Sequence, residues 1–62
     1  MSAAHPAADA LARLIAIPDA DRRAQAYVAV LSIIAMDVDR GAPVFFADNV
    51  DFALRLLGED QS

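Results

Sequence analysis

The sequence predicts an all-α protein: a small three-helix domain with a long central helix, expected to form a symmetric homodimer. Apolar residues recur at helical spacing in three segments, predicted at about 6–16, 20–38 and 48–57. Prolines and glycines separate these segments, and aspartates stand near the predicted starts of the second and third. At 62 residues, the chain is expected to form one domain, with a frayed tail over 58–62.

The first predicted helix begins at Pro6, whose missing N–H is not needed in the first turn of a helix. Leu11, Leu14 and Ile15 recur at helical spacing and form its apolar face. Pro18 ends this helix, because the residue before a proline is pushed away from the helical region of backbone space.

The second predicted helix is apolar around most of its circumference. Asp19 is its expected N-cap, and Gly41 is its expected stop. A helix of this kind has to be covered on most sides, which predicts that it is the central element. Its β-branched residues make a buried strand over 27–34 the competing prediction, but its length and lack of turn residues favour a helix. One apolar row runs through Ala20, Ala24, Tyr27, Leu31, Ile34 and Val38, a second through Ala26, Val30 and Ile33, and Val28 and Ala35 widen the surface.

The third predicted helix starts at Asp48, which has capping-box spacing to Asp51. Gly58 fits the first position after its C-terminus. Phe45 and Phe46 fall in the connection that precedes it. At least one ring is expected to fold onto the core, and the other is a candidate exposed anchor for a partner.

Catalytic groups are scarce, and the sequence predicts a protein that is not an enzyme. Cysteine is absent, which excludes disulfides, thiolate metal sites and cysteine nucleophiles. His5 is the single histidine. His5 precedes Pro6 and is expected to cap the helix or face solvent, while Ser32 falls in the middle of a predicted helix. No catalytic set assembles, and no cofactor is predicted.

The spacing of three aspartates resembles that of a calcium-binding loop. Asp37, Asp39 and Asp48 fall at positions one, three and twelve of such a loop. Ala42, however, occupies position six, where the loop requires glycine. The spacing is interpreted as chance in an acidic chain, and no metal is predicted.

The charge disfavours nucleic acids and membranes as partners. The formal net charge is −4, and every arginine has an acid at helical distance. The longest strongly apolar run, 26–36, is too short to span a bilayer, and no secretory signal is visible. A cytoplasmic protein is therefore expected, and the lysine-free composition rich in alanine, arginine and aspartate is typical of a GC-rich bacterial genome.

The excess apolar surface points to protein binding. The leading prediction is a small interaction module (a regulator, inhibitor or adaptor) that dimerises or binds a protein partner through an apolar helical surface. The alternative is a small accessory subunit of a larger enzyme or complex, and a DNA-binding regulator is disfavoured by charge. The predicted interface consists of Tyr27, Val30, Leu31, Ile33, Ile34, Val38, Phe45 and Phe46.

Overall fold

A computed structural model describes residues 5–59 and places three helices in them: α1 (Pro6–Ile15), α2 (Ala20–Asp39) and α3 (Phe46–Leu56). This range contains no strand, so the all-α prediction is confirmed and the competing strand over 27–34 is wrong. Within the same range, none of the helices combines the length and apolar character needed to cross a membrane.

The first two helices begin at side-chain caps. The Nδ1 atom of His5 accepts a hydrogen bond from the backbone N–H of Ala8 at 3.3 Å, just before Pro6 opens α1. The carboxylate of Asp19 accepts one from the backbone N–H of Arg22 at 2.9 Å. Each cap satisfies a donor that has no partner inside its own helix, which is the role predicted for Asp19.

The second and third helices end in the same way, at glycines with positive φ. Gly41 has φ +73° and Gly58 has φ +72°, a conformation in which residues with a Cβ are strained. After α2, the N–H of Gly41 donates to the Val38 carbonyl, and the N–H of Ala42 donates to the Asp37 carbonyl. This pair of bonds is the Schellman motif, and an equivalent pair follows α3.

The start of α3 differs from the prediction. The helix begins at Phe46 with Phe45 in the N-cap position, and no side chain caps it. Asp48 lies inside the first turn, so its predicted role as N-cap is wrong. The ring of Phe46 packs against the core. Burial of an apolar side chain thus extends the helix past the local capping signal, since tertiary packing supplies most helical stability in proteins.

The predicted frayed tail is not frayed at its first two residues. Gly58 closes α3, and the N–H of Glu59 donates to the Leu54 carbonyl at 2.8 Å. The carboxylate of Glu59 also pairs with Arg22 of α2, which joins the end of α3 to the start of α2. The rest of the predicted tail, 60–62, lies outside the described residues.

The helix that packs against both others is α3. Helices α1 and α2 each contact α3 extensively and contact each other little. The prediction that the longest helix is central therefore differs from the structure. The described chain measures 35 × 32 × 18 Å, a flattened shape in which one broad side of α2 has no neighbour.

The core is correspondingly thin. Val50 of α3 is the largest side chain that is fully buried, and three of the eight core residues are alanines. Eleven large hydrophobic side chains of the described range are exposed. Much of the chain's apolar surface therefore stays in contact with solvent. The core consists of Ala10, Leu14, Ile17, Ala26, Val30, Val50, Ala53 and Leu54.

Candidate protein-interaction surface

The two sides of α2 have different environments. Its inner side packs on α3 and the core and carries Ala26, Val30 and Asp37, all buried. Its opposite side carries a row of apolar residues that are all exposed. We call this row the outer stripe; it consists of Ala24, Val28, Leu31, Ala35 and Val38.

The spacing of the outer stripe is that of a helix–helix interface. Its members follow one another by steps of four, three, four and three residues, which is the a/d repeat of a coiled coil. Val28, Leu31 and Val38 are 62%, 65% and 62% exposed. Alanines at 24 and 35 alternate with these larger residues and allow a second helix to approach closely at their positions.

The stripe has one apolar flank and one polar flank. On one side lie Tyr27 and Ile34, which are partly exposed and correspond to the g positions of the heptad repeat. On the other side lie Gln25, Ser32 and Asp39, which are exposed and correspond to the e positions. The two flanks of the stripe therefore differ in polarity, and this difference constrains how a partner helix is oriented.

The residues predicted for the interface fall into three environments. Leu31 and Val38 belong to the outer stripe, Tyr27 and Ile34 form its apolar flank, and Phe45 is exposed elsewhere. Val30 is buried in the core, and Ile33 and Phe46 pack against the core. Ile34 is partly buried and also packs against the core, so it lies where the apolar flank meets the core.

The predicted interface left out three members of the stripe. Ala24 was placed in the row that contains Tyr27 and Ile34 but not in the interface, and Val28 and Ala35 were described only as widening the apolar surface. The exposed polar residues Gln25 and Ser32 run beside them and mark the solvent side of the helix. A row chosen by its closeness to these polar residues would have included Val28.

A second apolar region lies on and beside α3. Phe45, Phe52 and Leu56 are exposed, and their spacing follows the helix with Asn49 between the first two. Asn49 is buried, and its Nδ2 atom has no hydrogen-bond partner within residues 5–59. This region is therefore shorter than the outer stripe and is interrupted by a polar group.

Four arginines of the described residues form ion pairs with acidic side chains. Arg13 contacts Asp51 across the α1–α3 interface at 3.2 Å, and Arg55 contacts the same aspartate at 2.9 Å. Arg40 pairs with Asp37 at 2.6 Å, as its spacing predicted. The Arg22 side chain reaches Glu59, and that of Arg23 donates to the Ile17 carbonyl at 2.9 Å.

The chemistry-bearing residues are dispersed. His5 uses its Nδ1 atom to cap α1, and Ser32 lies on the exposed polar flank of α2. Asp37 and Asp39 lie in α2 rather than in a loop, and Asp48 lies in α3. In the described part of the chain, no three histidine or acidic side chains come together as metal ligands.

Comparison with protein-family models, curated proteins and solved structures finds no match to the chain. The geometry of the outer stripe and of the second apolar region is therefore the basis for assigning a function.

Proposed function

We propose that the chain is a non-enzymatic protein-interaction module, a small cytoplasmic regulator, inhibitor or adaptor, and that its outer stripe binds a second copy in a symmetric homodimer. The observation that carries this proposal is the unbroken row of exposed apolar residues from Ala24 to Val38 at coiled-coil spacing. Scattered exposed hydrophobic residues are normal on protein surfaces, but a contiguous row marks a binding surface.

The energetic argument concerns the large side chains of the stripe. Covering a valine or leucine side chain contributes about 1.5–3 kcal/mol relative to leaving it exposed. A core in a chain of this size rarely leaves more than about 3–5 kcal/mol of net stability. Covering Val28, Leu31 and Val38 therefore supplies an energy comparable to that of the fold itself.

A second copy of the chain is the simplest occupant. A two-fold symmetric interface pairs the same surface with itself, so every favourable contact occurs twice. The stripe is apolar and carries no charged residue among its five members, so two copies can pack against each other without burying a charge from either stripe. The net charge of −4 gives no attraction to nucleic acids, in keeping with a protein partner.

The test compares two substitutions on the same helix. Leu31→Gln changes the centre of the stripe, and Met36→Gln changes a residue that is similarly exposed (62%) but lies off the stripe. We expect the wild type to sediment as a dimer at micromolar concentration, Leu31→Gln to raise the dimer Kd by about a hundredfold, and Met36→Gln to change it little. A wild-type monomer of 6.6 kDa that stays folded on dilution would contradict the proposal.

A second candidate function is an accessory subunit of a larger enzyme or complex. The second apolar region, with exposed Phe45, Phe52 and Leu56, favours it, because a dimer through α2 leaves this region uncovered. Under this alternative the isolated chain associates heterogeneously, and Phe52→Gln restores discrete species. A single well-defined dimer with no further association at high concentration would argue against it.

A further inference from the structure

From the two unlike flanks of the outer stripe, we infer that the dimer partner lies antiparallel, with α2 of each copy running in opposite directions. This inference rests on the proposed homodimer. The apolar flank is formed by Tyr27 and Ile34, and the polar flank by Gln25, Ser32 and Asp39. The orientation of the partner decides which flank meets which.

The geometry follows from the position of the two-fold axis. In a parallel pair the axis runs along the helices, so the left flank of one helix meets the right flank of the other. In an antiparallel pair the axis is perpendicular to the helices, so each flank meets itself. A parallel dimer therefore places the apolar flank against the polar flank, whereas an antiparallel dimer pairs apolar with apolar and polar with polar.

The mismatch in the parallel arrangement is specific. It brings Ile34 beside Asp39 of the partner subunit, and Tyr27 beside Ser32 of the partner subunit, following the g-to-e contacts of parallel coiled coils. Partial burial of a carboxylate against an isoleucine is costly, because the carboxylate loses water without gaining a hydrogen-bond donor. The antiparallel arrangement leaves Asp39 among the side chains of a polar flank.

A second observation concerns Asp21, which precedes Val28 by one heptad and is exposed on the same side of α2. A parallel dimer brings the two copies of Asp21 together across the extension of the stripe, and like charges in this position repel. It also makes the two helix dipoles point in the same direction, whereas in an antiparallel pair they point in opposite directions and attract each other. Both effects favour the antiparallel orientation.

The absence of cysteine makes a distance measurement simple, because a single introduced cysteine is the sole labelling site. We propose nitroxide labels at Gln25→Cys and, in a separate variant, Met36→Cys, both exposed and outside the outer stripe. Neither substitution removes Tyr27, Ile34 or Asp39, and the two positions lie about 17 Å apart along the helix at 1.5 Å per residue. Pulsed electron paramagnetic resonance then gives the label-to-label distance within each dimer.

A same-site separation is the distance between two labels at the same position in the two copies. In an antiparallel dimer whose two-fold axis crosses α2 between the labelled positions, the two same-site separations along the helix axis add up to about 33 Å. In a parallel dimer, both same-site separations are set by the interaxial distance of about 10 Å. A mixed dimer, with one label at each position, has a separation below the mean of the two same-site values when antiparallel, and the longest separation of the three when parallel. Labelled variants are first checked by sedimentation for dimer formation.

The outcomes separate the inference from the proposed function. Same-site separations that are unequal or long, with a short mixed separation, support the antiparallel dimer. Short same-site separations at both positions would overturn the orientation while leaving the homodimer standing. A labelled and an unlabelled chain that both sediment as monomers would overturn the homodimer and the orientation together.

Discussion

Val28 and Val30, two residues apart on α2, have opposite environments. Val30 is 3% exposed and contacts the core, whereas Val28 is 62% exposed and contacts mainly solvent. At 3.6 residues per turn, two residues on a helix point about 200° apart, so these side chains lie on opposite faces. The same residue type thus stabilises the fold at one position and is available for association at the other.

The two faces of α2 differ because only one of them is covered by another helix. Helix α3 covers only the inner face of α2, and α1 lies mainly against α3. The outer stripe is apolar along its whole length, but residues 5–59 contain no fourth element to cover it. The inner face therefore determines the stability of the monomer, and the outer face is the surface through which we propose that the monomer binds a second copy.

The largest expected effect is on the inner face. Val30→Ala removes two buried methyl groups and leaves a cavity, and we expect the free energy of unfolding to fall by about 2 kcal/mol. Chemical denaturation measured at a low protein concentration checks this value. A loss below about 0.5 kcal/mol would mean that α2 and α3 are packed less tightly than the burial of Val30 indicates.

An intermediate effect is expected at the polar end of the inner face. The Asp37 carboxylate is buried (10% exposed) and pairs with Arg40, whose side chain is 71% exposed. Arg40→Gln leaves this carboxylate without its ionic partner, and we expect a loss of about 1 kcal/mol in unfolding free energy, because solvent screens the exposed side of the pair.

Arg55→Gln is the control for an exposed pair, since Arg55 contacts Asp51 at the surface of α3 and Asp51 keeps its contact with Arg13 in this variant. Exposed pairs at this spacing contribute about 0.3–0.5 kcal/mol. Equal losses in the two variants, each determined by urea denaturation, would show that the burial of Asp37 adds nothing to its pair.

The smallest effect on monomer stability is expected on the outer face. Val28→Ala makes the substitution of Val30→Ala at an exposed position, and we expect the unfolding free energy of the monomer to change by less than about 0.5 kcal/mol. The dimer Kd, in contrast, is expected to rise about tenfold, because each copy loses apolar contact area. Analytical ultracentrifugation measures the Kd, and an unchanged value would remove Val28 from the interface.

Features that depend on neighbours along the chain were predictable from the sequence. The Asp19 cap, the break at Pro18 and the glycine stops at Gly41 and Gly58 are all present in the structure. Each of these features acts within one turn of backbone, through a hydrogen bond or a restriction on φ. For the same reason, the start of α3 at Phe46 was missed, since a contact with the distant core extends that helix.

The sequence by itself determined that the chain forms helices, where two of them begin, and that they have more apolar surface than a small core can bury. Only the tertiary structure decided that α3 is the helix between the other two, and that Val30 faces inwards while Val28 faces outwards. The physical reason is that α2 is apolar on most of its circumference, so hydrophobic periodicity gives nearly the same driving force for several rotations of the helix. The packing of α2 against α3 and the shared core, which includes Val50, Ala53 and Leu54, selects one of these rotations and leaves the outer stripe exposed.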